Sequence, residues 1–253
     1  MRRQREAAQL SLIQLVKVLN SSKSTLARVE TAELMPPPDL SEKLDAAFGT
    51  DGLFGRLYDL AKREAHPDQY WRFMDFEARA EVIENYVAHV VPGLLQTEAY
   101  ARAFLSCQDD LAEEQIEERV AARMARKERL KSESPPLRWA ILDEAVLRRQ
   151  IGSRKCMYEQ LASLLKQVDA PNSKIQVMPF GAGAHPLLGG SLTLLTLLNG
   201  STVAYEEGIE AGHLYEDPET VKKRQRQYDV LRANALSFAE SVALIRSVME
   251  DYN

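Results

Sequence analysis

A group of polar and basic residues opens one predicted helix: Ser22, Lys23, Ser24, Thr25 and, one turn later, Arg28. Short hydroxyl side chains can bond to a phosphate oxygen or to a base edge, and lysine and arginine side chains can bond to either. Arginine can also read guanine through two parallel hydrogen bonds. These five residues are therefore the candidate DNA-binding site, with double-stranded DNA as the partner. The alternative interpretation is a solvated helix start on a plain helical bundle.

Side chains that commonly bind metals or catalyse reactions are scattered along the chain. The histidines are His66, His89, His185 and His213, and neither an HExxH nor a CxxC motif occurs. No serine stands in a G-x-S-x-G motif, the pattern of one large group of hydrolases. We therefore predict no catalytic residues, no metal site, no cofactor and no enzymatic activity.

The glycine-rich segment "FGAGAHPLLGG" does not complete a phosphate-binding motif. Gly181 and Gly183 fit the start of G-x-G-x-x-G, but Pro186 stands at the third glycine position. The segment also leads into a predicted strand, so no helix N-terminus follows to bind an anion. We interpret it as a connection that turns the chain into a strand.

A small-ligand pocket is one further possibility in the second half of the chain. Pockets of this kind combine an aromatic wall with a few polar groups. The residues that could supply them are Trp139, His185, Tyr205 and Glu206. The alternative is that these side chains belong to the core or to its rim.

The candidate DNA-binding residues need a helix-turn-helix to position them, and the first fifty residues predict one. Ser11 and Gln14 form a capping-box pattern before an apolar face that repeats at helical spacing. Asn20 tolerates the left-handed conformation that ends a helix, and Ser22 can cap the next helix. Gly49 can end a fourth helix. Two helices joined by a tight turn match the helix-turn-helix layout, in which the second helix enters the major groove.

Charge is distributed unevenly along the 253 residues, whose net charge is -5. Residues 1–35 hold six basic and three acidic side chains, which gives +3 and leaves -8 for the remainder. This asymmetry predicts a small module that binds a polyanion, attached to a larger domain that does not bind one. The acidic body itself is a poor partner for DNA, because like charges repel a phosphate backbone.

The composition also indicates a cellular compartment. Cys107 and Cys156 are the two cysteines, too few for a disulfide framework, which fits a reducing environment. No apolar run approaches 20 residues, and the basic N-terminus lacks the apolar stretch of a secretory signal. We therefore predict a cytoplasmic protein with no membrane span.

Beyond residue 80 the pattern predicts strands mixed with helices. Strands are expected at 137–142, 173–180, 191–198 and 201–207, and helices at 98–105, 111–131, 143–152, 154–168, 218–235 and 237–251. Residues 82–91 are either a strand or a short buried segment. The helix at 154–168 is expected to turn four side chains inward: Tyr158, Leu161, Leu164 and Leu165.

These elements predict the domain organisation and the fold class. We expect a mainly α N-terminal helix-turn-helix domain over residues 1–60 and a linker over 61–80. Within the linker, the helix is expected to be interrupted at His66-Pro67. An α+β C-terminal domain should follow over residues 81–253, with a central sheet flanked by helices.

Two parts of the chain resemble known protein families. The stretch "LSLIQLVKVLNSSKSTLARVETAELMPP" resembles the helix-turn-helix of the xenobiotic-response-element type of bacterial regulators, and "SKSTLARVE" matches that family's recognition helix. The segments "VPGLLQTEAYARA", "IQVMPFGAGAHPLLGGSLTLL" and "YEDPETV" resemble the second domain of many actinomycete regulators. The resemblance covers nearly the whole chain and implies a DNA-binding transcriptional regulator. Some such regulators are antitoxin-like and paired with a small neighbouring protein, which implies a small partner protein here.

The segment "VPGLLQTEAYARA" supplies the candidate partner-binding residues, which are Pro92, Gly93, Gln96 and Tyr100. Pro92 and Gly93 should fix a turn, and Gln96 and Tyr100 are expected to face outward one turn apart. A partner protein is favoured over a small molecule, because no convergent polar cluster is visible in the sequence. The alternative is that the segment only packs the domain.

The helix at 111–131 places acidic residues first and basic residues last, which suits the helix dipole. It is either a surface helix packed on its own domain or a helix that binds a partner or a second copy. We expect a homodimer, because one short recognition helix reads only a few base pairs. Two functions remain open: a transcriptional regulator, or a protein-interaction module whose degenerate helix-turn-helix no longer binds DNA.

Overall fold

The computed structural model describes residues 1–31, 34, 36–64, 68–108, 111–168, 170–208 and 212–253. The chain divides into two compact units, Met1–Trp71 and Arg72–Asn253. The first unit contains the helix-turn-helix, and the second contains the sheet. The predicted interruption of the helix at His66-Pro67 lies outside the described residues.

Short helices make up the first unit. They are α1 (Arg2–Ala7), α2 (Leu12–Leu19), α3 (Lys23–Glu30), α4 (Pro38–Phe48) and α5 (Leu53–Glu64). A further helix, α6 (Asp68–Arg79), crosses the boundary between the units. The inward faces of the short helices form one apolar core, which contains Leu15, Leu19, Leu26, Leu40, Leu44 and Phe54.

Local capping explains where these helices begin and end. The Ser11 hydroxyl accepts a hydrogen bond from the Gln14 amide, and the Gln14 side chain accepts one from the Ser11 amide at 2.8 Å. Asn20 ends α2 in the left-handed region, at φ 49° and ψ 53°. Ser22 then caps α3, and Gly49 ends α4 in the left-handed region. The predicted helix-turn-helix is therefore confirmed, together with the caps that define it.

The second unit alternates strands and helices. Its strands are β1 (Ala80–Val87), β2 (Leu137–Asp143), β3 (Ser173–Met178), β4 (Ser191–Leu197), β5 (Thr202–Glu207) and β6 (Gly212–Tyr215). Its helices are α7 (Glu98–Leu105), α8 (Glu113–Lys127), α9 (Glu144–Arg148), α10 (Arg154–Val168), α11 (Pro218–Asn234) and α12 (Phe238–Glu250).

The strands form one mixed sheet in the order β3-β2-β1-β4-β5-β6. β1, β2 and β3 run parallel, and β4, β5 and β6 continue the sheet as antiparallel neighbours. Helical crossovers join the parallel strands, as that arrangement requires. The sheet register places Trp139 and Leu194 on either side of Glu84.

Apolar cores lie on both faces of this sheet. One core gathers side chains from β1, β2, β3, α10 and α12, including Leu142, Val177 and Leu161. The core on the opposite face includes Tyr86 and Ile141 from the strands and Tyr228 from α11. Burial on both faces favours continuous apolar runs, and β2 has one from Trp139 to Leu142, whereas β1 and β3 also contain polar residues. The predicted α+β fold with a sheet flanked by helices is confirmed.

Several expectations about single elements differ from the structure. Residues 82–91 supply a strand, but it ends at Val87, and the short strand β6 was not predicted. Tyr158 was expected to face inward and is 37% exposed, so that expectation is wrong. Its apolar neighbours Leu161 and Leu164 already fill the buried face of α10. Where it is described, the segment predicted as a linker, 61–80, contains the end of α5, all of α6 and the first residue of β1.

The described helices give no indication of a membrane span, because none of them is both long enough and apolar enough to cross a bilayer.

Candidate nucleic-acid interface

The start of α3 is fixed by a hydrogen-bonded pair of hydroxyl groups. The Ser22 hydroxyl accepts a hydrogen bond from the Thr25 amide at 2.9 Å and lies 2.7 Å from the Thr25 hydroxyl. Such a cap satisfies one of the amides that a helix leaves unpaired at its N-terminus. Ser22 and Thr25 therefore fix the N-terminus of α3, and this is the part of the helix that was predicted to contact DNA.

The remaining three predicted DNA-binding residues present their side chains to solvent. Lys23, Ser24 and Arg28 are exposed, whereas Leu26 on the same helix is fully buried in the core. Among the described residues, none of these three exposed side chains makes a hydrogen bond or an ion pair. The structure therefore leaves two cations and one hydroxyl on the outer face of α3, free to bond to a ligand.

An ion pair that the sequence analysis missed holds the far end of α3. The Arg5 guanidinium donates hydrogen bonds to both carboxylate oxygens of Glu30, at 2.7 and 3.1 Å, and another to the Leu10 carbonyl oxygen. These bonds lower the pKa of the Glu30 carboxyl below its ordinary value, and Arg2 lies 3.5 Å from the same group. Two of the basic residues counted toward a DNA-binding charge therefore pair with the end of α3 instead.

The sequence could not have indicated this pair by local spacing, because Arg5 and Glu30 are 25 residues apart. Helical periodicity relates residues only three or four positions apart. The available signal was Glu30, an acidic residue at the end of α3, whose other charged residues are basic.

The predicted partner-binding residues lie mainly in the interior of the second unit. Pro92 and Gly93 are half-buried at the start of a 3₁₀ turn, Gly93–Leu95. Gln96 is 2% exposed and Tyr100 is fully buried, so the expectation that both face outward is wrong. The physical reason is that α7 begins at Glu98, so Gln96 is in extended backbone and does not share a helical face with Tyr100.

Gln96 connects several elements through hydrogen bonds. Its side-chain amide donates to the Val91 carbonyl oxygen at 2.7 Å, and its side-chain oxygen accepts from the Arg123 guanidinium at 2.8 Å. Its own carbonyl oxygen accepts from the Lys127 ammonium at 2.6 Å. The Tyr100 hydroxyl in turn accepts a 3.3 Å hydrogen bond from the Val91 amide. This network favours the alternative interpretation, in which the segment packs the domain.

The structure does not bring together the residues suggested for a small-ligand pocket. Trp139 lies on β2 and Tyr205 on β5, with β1 and β4 between them. The Trp139 indole donates to the Gln176 side chain at 2.8 Å, whereas Tyr205 stacks on Phe73 with ring centroids 4.1 Å apart. The two aromatic residues therefore serve separate packing sites and form no common wall.

His185, from the same suggestion, belongs to a different cluster. Its Nε2 atom lies 3.1 Å from the Tyr86 hydroxyl, and that hydroxyl donates to the Asp143 carboxylate at 3.1 Å. Because the single Tyr86 proton goes to the carboxylate, the neutral His185 ring must carry its proton on Nε2. Burial lowers the pKa of His185, and burial next to Asp143 raises the pKa of Tyr86. In the described part of the chain, Nδ1 of His185 has no hydrogen-bond partner.

Tyr86 and Asp143 were not singled out by sequence reasoning. They lie near the carboxyl ends of the parallel strands β1 and β2, where a sheet of this kind gathers polar side chains. The signal available in the sequence was Asp143 at the end of an apolar run, where it also caps α9 by accepting from the Ala145 amide. Across the described residues, no group of three metal-ligating side chains comes together.

Comparison with known families finds one match for each unit. A family described as "Helix-turn-helix domain" matches residues 1–53, which cover α1 to α4 and the turn before α5. A family described as "Domain of unknown function (DUF5753)" matches residues 70–247, about two thirds of the chain and nearly all of the second unit. No curated protein matches the chain, and no solved structure does.

Proposed function

The chain belongs to the DUF5753 family and carries a helix-turn-helix domain in front of that region, and from this pairing we propose that it is a sequence-specific DNA-binding transcriptional regulator. The observation that carries the proposal is the outer face of α3. There Lys23, Ser24 and Arg28 are exposed and have no partner among the described residues. Recognition helices place such residues against base edges and phosphates in the major groove.

The remaining parts of the proposal concern the type of regulator. We place it in the xenobiotic-response-element type and among the actinomycete regulators, on the sequence motifs that resemble them. The second unit then binds a partner protein and has an antitoxin-like role. It catalyses no reaction of its own. DNA binding locates the protein in the cytoplasm, where its operator is accessible.

A homodimer completes this proposal. One recognition helix of eight residues reads only a few base pairs, and a two-fold dimer doubles the site. Light scattering on the full chain, alone and with operator DNA, measures the mass directly. The mass of two chains is expected, and a monomer mass in both samples would contradict the dimer.

A second candidate function is supported by the hydroxyl pair at the start of α3. Because Ser22 and Thr25 bond to each other, two of the five predicted contacts are engaged inside the protein. A protein-interaction module with a degenerate helix-turn-helix would show the same feature. The two candidates differ in one property, which is binding to DNA.

Gel shifts on DNA from the protein's own promoter, over a series of salt concentrations, separate the candidates. A regulator retards its operator at concentrations that leave an unrelated duplex free, and its affinity falls as salt increases because phosphate contacts release counterions. Equal retardation of both duplexes, or of neither, would contradict sequence-specific regulation. An unrelated duplex of the same length and base composition is the matched control.

A further inference from the structure

The connection between β3 and β4, residues 179–190, crosses the ends of two other strands. The sheet order is β3-β2-β1-β4, and the strands β1, β2 and β3 are parallel, so all three end at one edge of the sheet. β4 runs antiparallel to β1 and starts at the same edge, where Leu192 pairs with Tyr86. The connection therefore passes over the carboxyl ends of β2 and β1, and we call it the cover segment.

A small number of contacts attach the cover segment to the rest of the second unit. The Phe180 amide donates a hydrogen bond to the Glu144 carboxylate at 2.9 Å, and Leu187 is buried in the core that contains Tyr86. The side chain of His185 lies between these two attachments and is only 7% exposed. The other residues between the two attachments are all exposed: Gly181, Ala182, Gly183, Ala184 and Pro186.

His185 contacts the strands through one of its two ring nitrogens. Its Nε2–H group donates to the Tyr86 oxygen at 3.1 Å, and Nε2 lies 4.0 Å from the Asp143 carboxylate. The rings of His185 and Tyr86 meet edge to face, with centroids 5.1 Å apart. Nδ1 is buried and has no partner among the described residues. In the neutral ring this atom is an acceptor, but in the imidazolium it becomes a second donor, and no acceptor is in reach.

Protonation of His185 is therefore unfavourable while the cover segment is closed. Burial lowers the pKa of the imidazole, and the charge of Asp143 opposes this effect only in part. In the described part of the second unit, Tyr86 and Asp143 are the titratable groups that face the ring from β1 and β2, and Glu144 at the start of α9 pairs with Arg148. An imidazole in water has a pKa of about 6.5 and can bond to solvent through both nitrogens. Acid thus favours a conformation in which the ring is exposed.

We propose that the cover segment is a pH-sensitive latch: neutral His185 holds it over the carboxyl ends of β1 and β2, and binding of a proton to the imidazole releases it. Open sheets with parallel strands bind ligands at the carboxyl ends of those strands, so the latch controls access to this edge. The inference concerns the second unit alone and does not depend on DNA binding.

Hydrogen exchange of the full chain, read by mass spectrometry at about pH 7.5 and 5.5, tests the latch. Protection is compared between peptides from the cover segment and peptides from β2, after correction for the intrinsic rate of each amide. A latch opens locally, so the cover segment should exchange faster than β2, and its protection should fall about threefold or more at the lower pH. A cover segment as well protected as β2, or one whose protection does not change with pH, would overturn the proposal.

His185→Gln identifies the group that titrates. Glutamine can still donate an N–H group toward Tyr86 but binds no proton in this range, so the protection of the cover segment should no longer depend on pH. His89→Gln is the control, because His89 is an exposed histidine just after β1, and this variant should respond as the wild-type chain does. If His185→Gln loses protection on acidification as the wild type does, another group causes the opening and the latch is wrong.

Asp143→Asn tests the sign of the effect and serves if His185→Gln does not fold. Asparagine can still accept the Tyr86 hydroxyl proton and cap α9, but it removes the charge that favours the imidazolium in the closed segment. Protection of the cover segment should therefore fall further on acidification than in the wild type, by an additional factor of about two or more. A purely structural role of Asp143 would lower protection equally at both pH values, and either that result or a smaller fall would contradict the latch.

Discussion

Gln96 is a buried residue whose side-chain amide bonds to two other groups of the second unit. Gln96→Ala deprives the Val91 carbonyl oxygen and the Arg123 guanidinium of their bonds to this side chain. An unsatisfied buried polar group costs about 1–3 kcal/mol, so we expect the variant to lose stability in that range. Urea unfolding of the full chain, followed by circular dichroism, measures the change.

The control is Glu118→Ala on α8, an exposed residue whose side chain makes no hydrogen bond or ion pair in the described part of the chain. Its stability should stay within about 0.5 kcal/mol of wild type. If Gln96→Ala is as stable as this control, the hydrogen-bond network does not hold the 3₁₀ turn in place.

His185 makes stability depend on pH. Its pKa is lowered by burial, so below about pH 6.5 the unfolded chain binds a proton that the folded chain does not. The free energy of unfolding contributed by this group is therefore highest above about pH 6.5 and decreases as pH falls toward the folded pKa. We expect His185→Gln to lose this part of the pH dependence, measured by urea unfolding between about pH 7.5 and 5.5.

His89→Gln is the matched control, because His89 is exposed. Its unfolding free energy should follow the wild-type pH profile. A His185→Gln variant with an unchanged profile would show that the folded protein does not keep this imidazole neutral.

At the level of single residues, sequence patterns predicted the helix caps more accurately than they predicted which side chains are buried. Ser11 and Ser22 were each placed correctly, because a cap depends only on the next two or three residues. Gln96 was misplaced because its environment comes from α8, about thirty residues later. Burial of a polar side chain by a distant element leaves no local pattern.

The helix α3 has two properties that a single substitution can separate. Ser22→Asp keeps an acceptor at the cap, and aspartate caps helices as well as serine does, so stability should change by less than about 0.5 kcal/mol. The new negative charge faces the proposed DNA surface, so affinity for operator DNA should fall by about tenfold. Thermal unfolding and gel shifts on one preparation measure both.

Ser153→Asp makes the same exchange at the start of α10 in the second unit, where the exposed Ser153 hydroxyl accepts a hydrogen bond from the Cys156 amide, and should leave DNA binding unchanged. Equal operator affinities for the Ser22→Asp variant and the wild-type chain would place the start of α3 away from DNA.

Among whole elements, those with a clear local pattern in the sequence were mostly the ones that could be predicted. Helices α10 and α12 carry several turns of apolar periodicity and lie where expected. Strand β6 has four residues, too few to show alternation, and it is defined by pairing with β5. The span of α6 was predicted as a linker, although Tyr70, Phe73 and Met74 stand at helical spacing.

At the level of the whole molecule, uneven charge predicted a small DNA-facing module and a larger acidic body. The two compact units and the two family matches agree with a division of this kind. The charge count alone did not indicate that Arg5 and Arg2 pair with Glu30. It also did not indicate that α11 is basic although the second unit is acidic. Net charge sums over residues, whereas partner binding depends on which charges the fold leaves unpaired.

The central claim is that the outer face of α3 reads DNA, and the full chain with Lys23→Ala and Arg28→Ala tests it most directly. Lys43→Ala with Arg56→Ala is the control, because it removes one lysine and one arginine from α4 and α5. Operator affinity is measured by gel shift at several salt concentrations, after circular dichroism confirms folding. If both residues contact bases, each alanine costs about 1–3 kcal/mol, so the double variant should bind at least tenfold more weakly while the control binds normally. A folded double variant that binds its operator as tightly as wild type would contradict the claim.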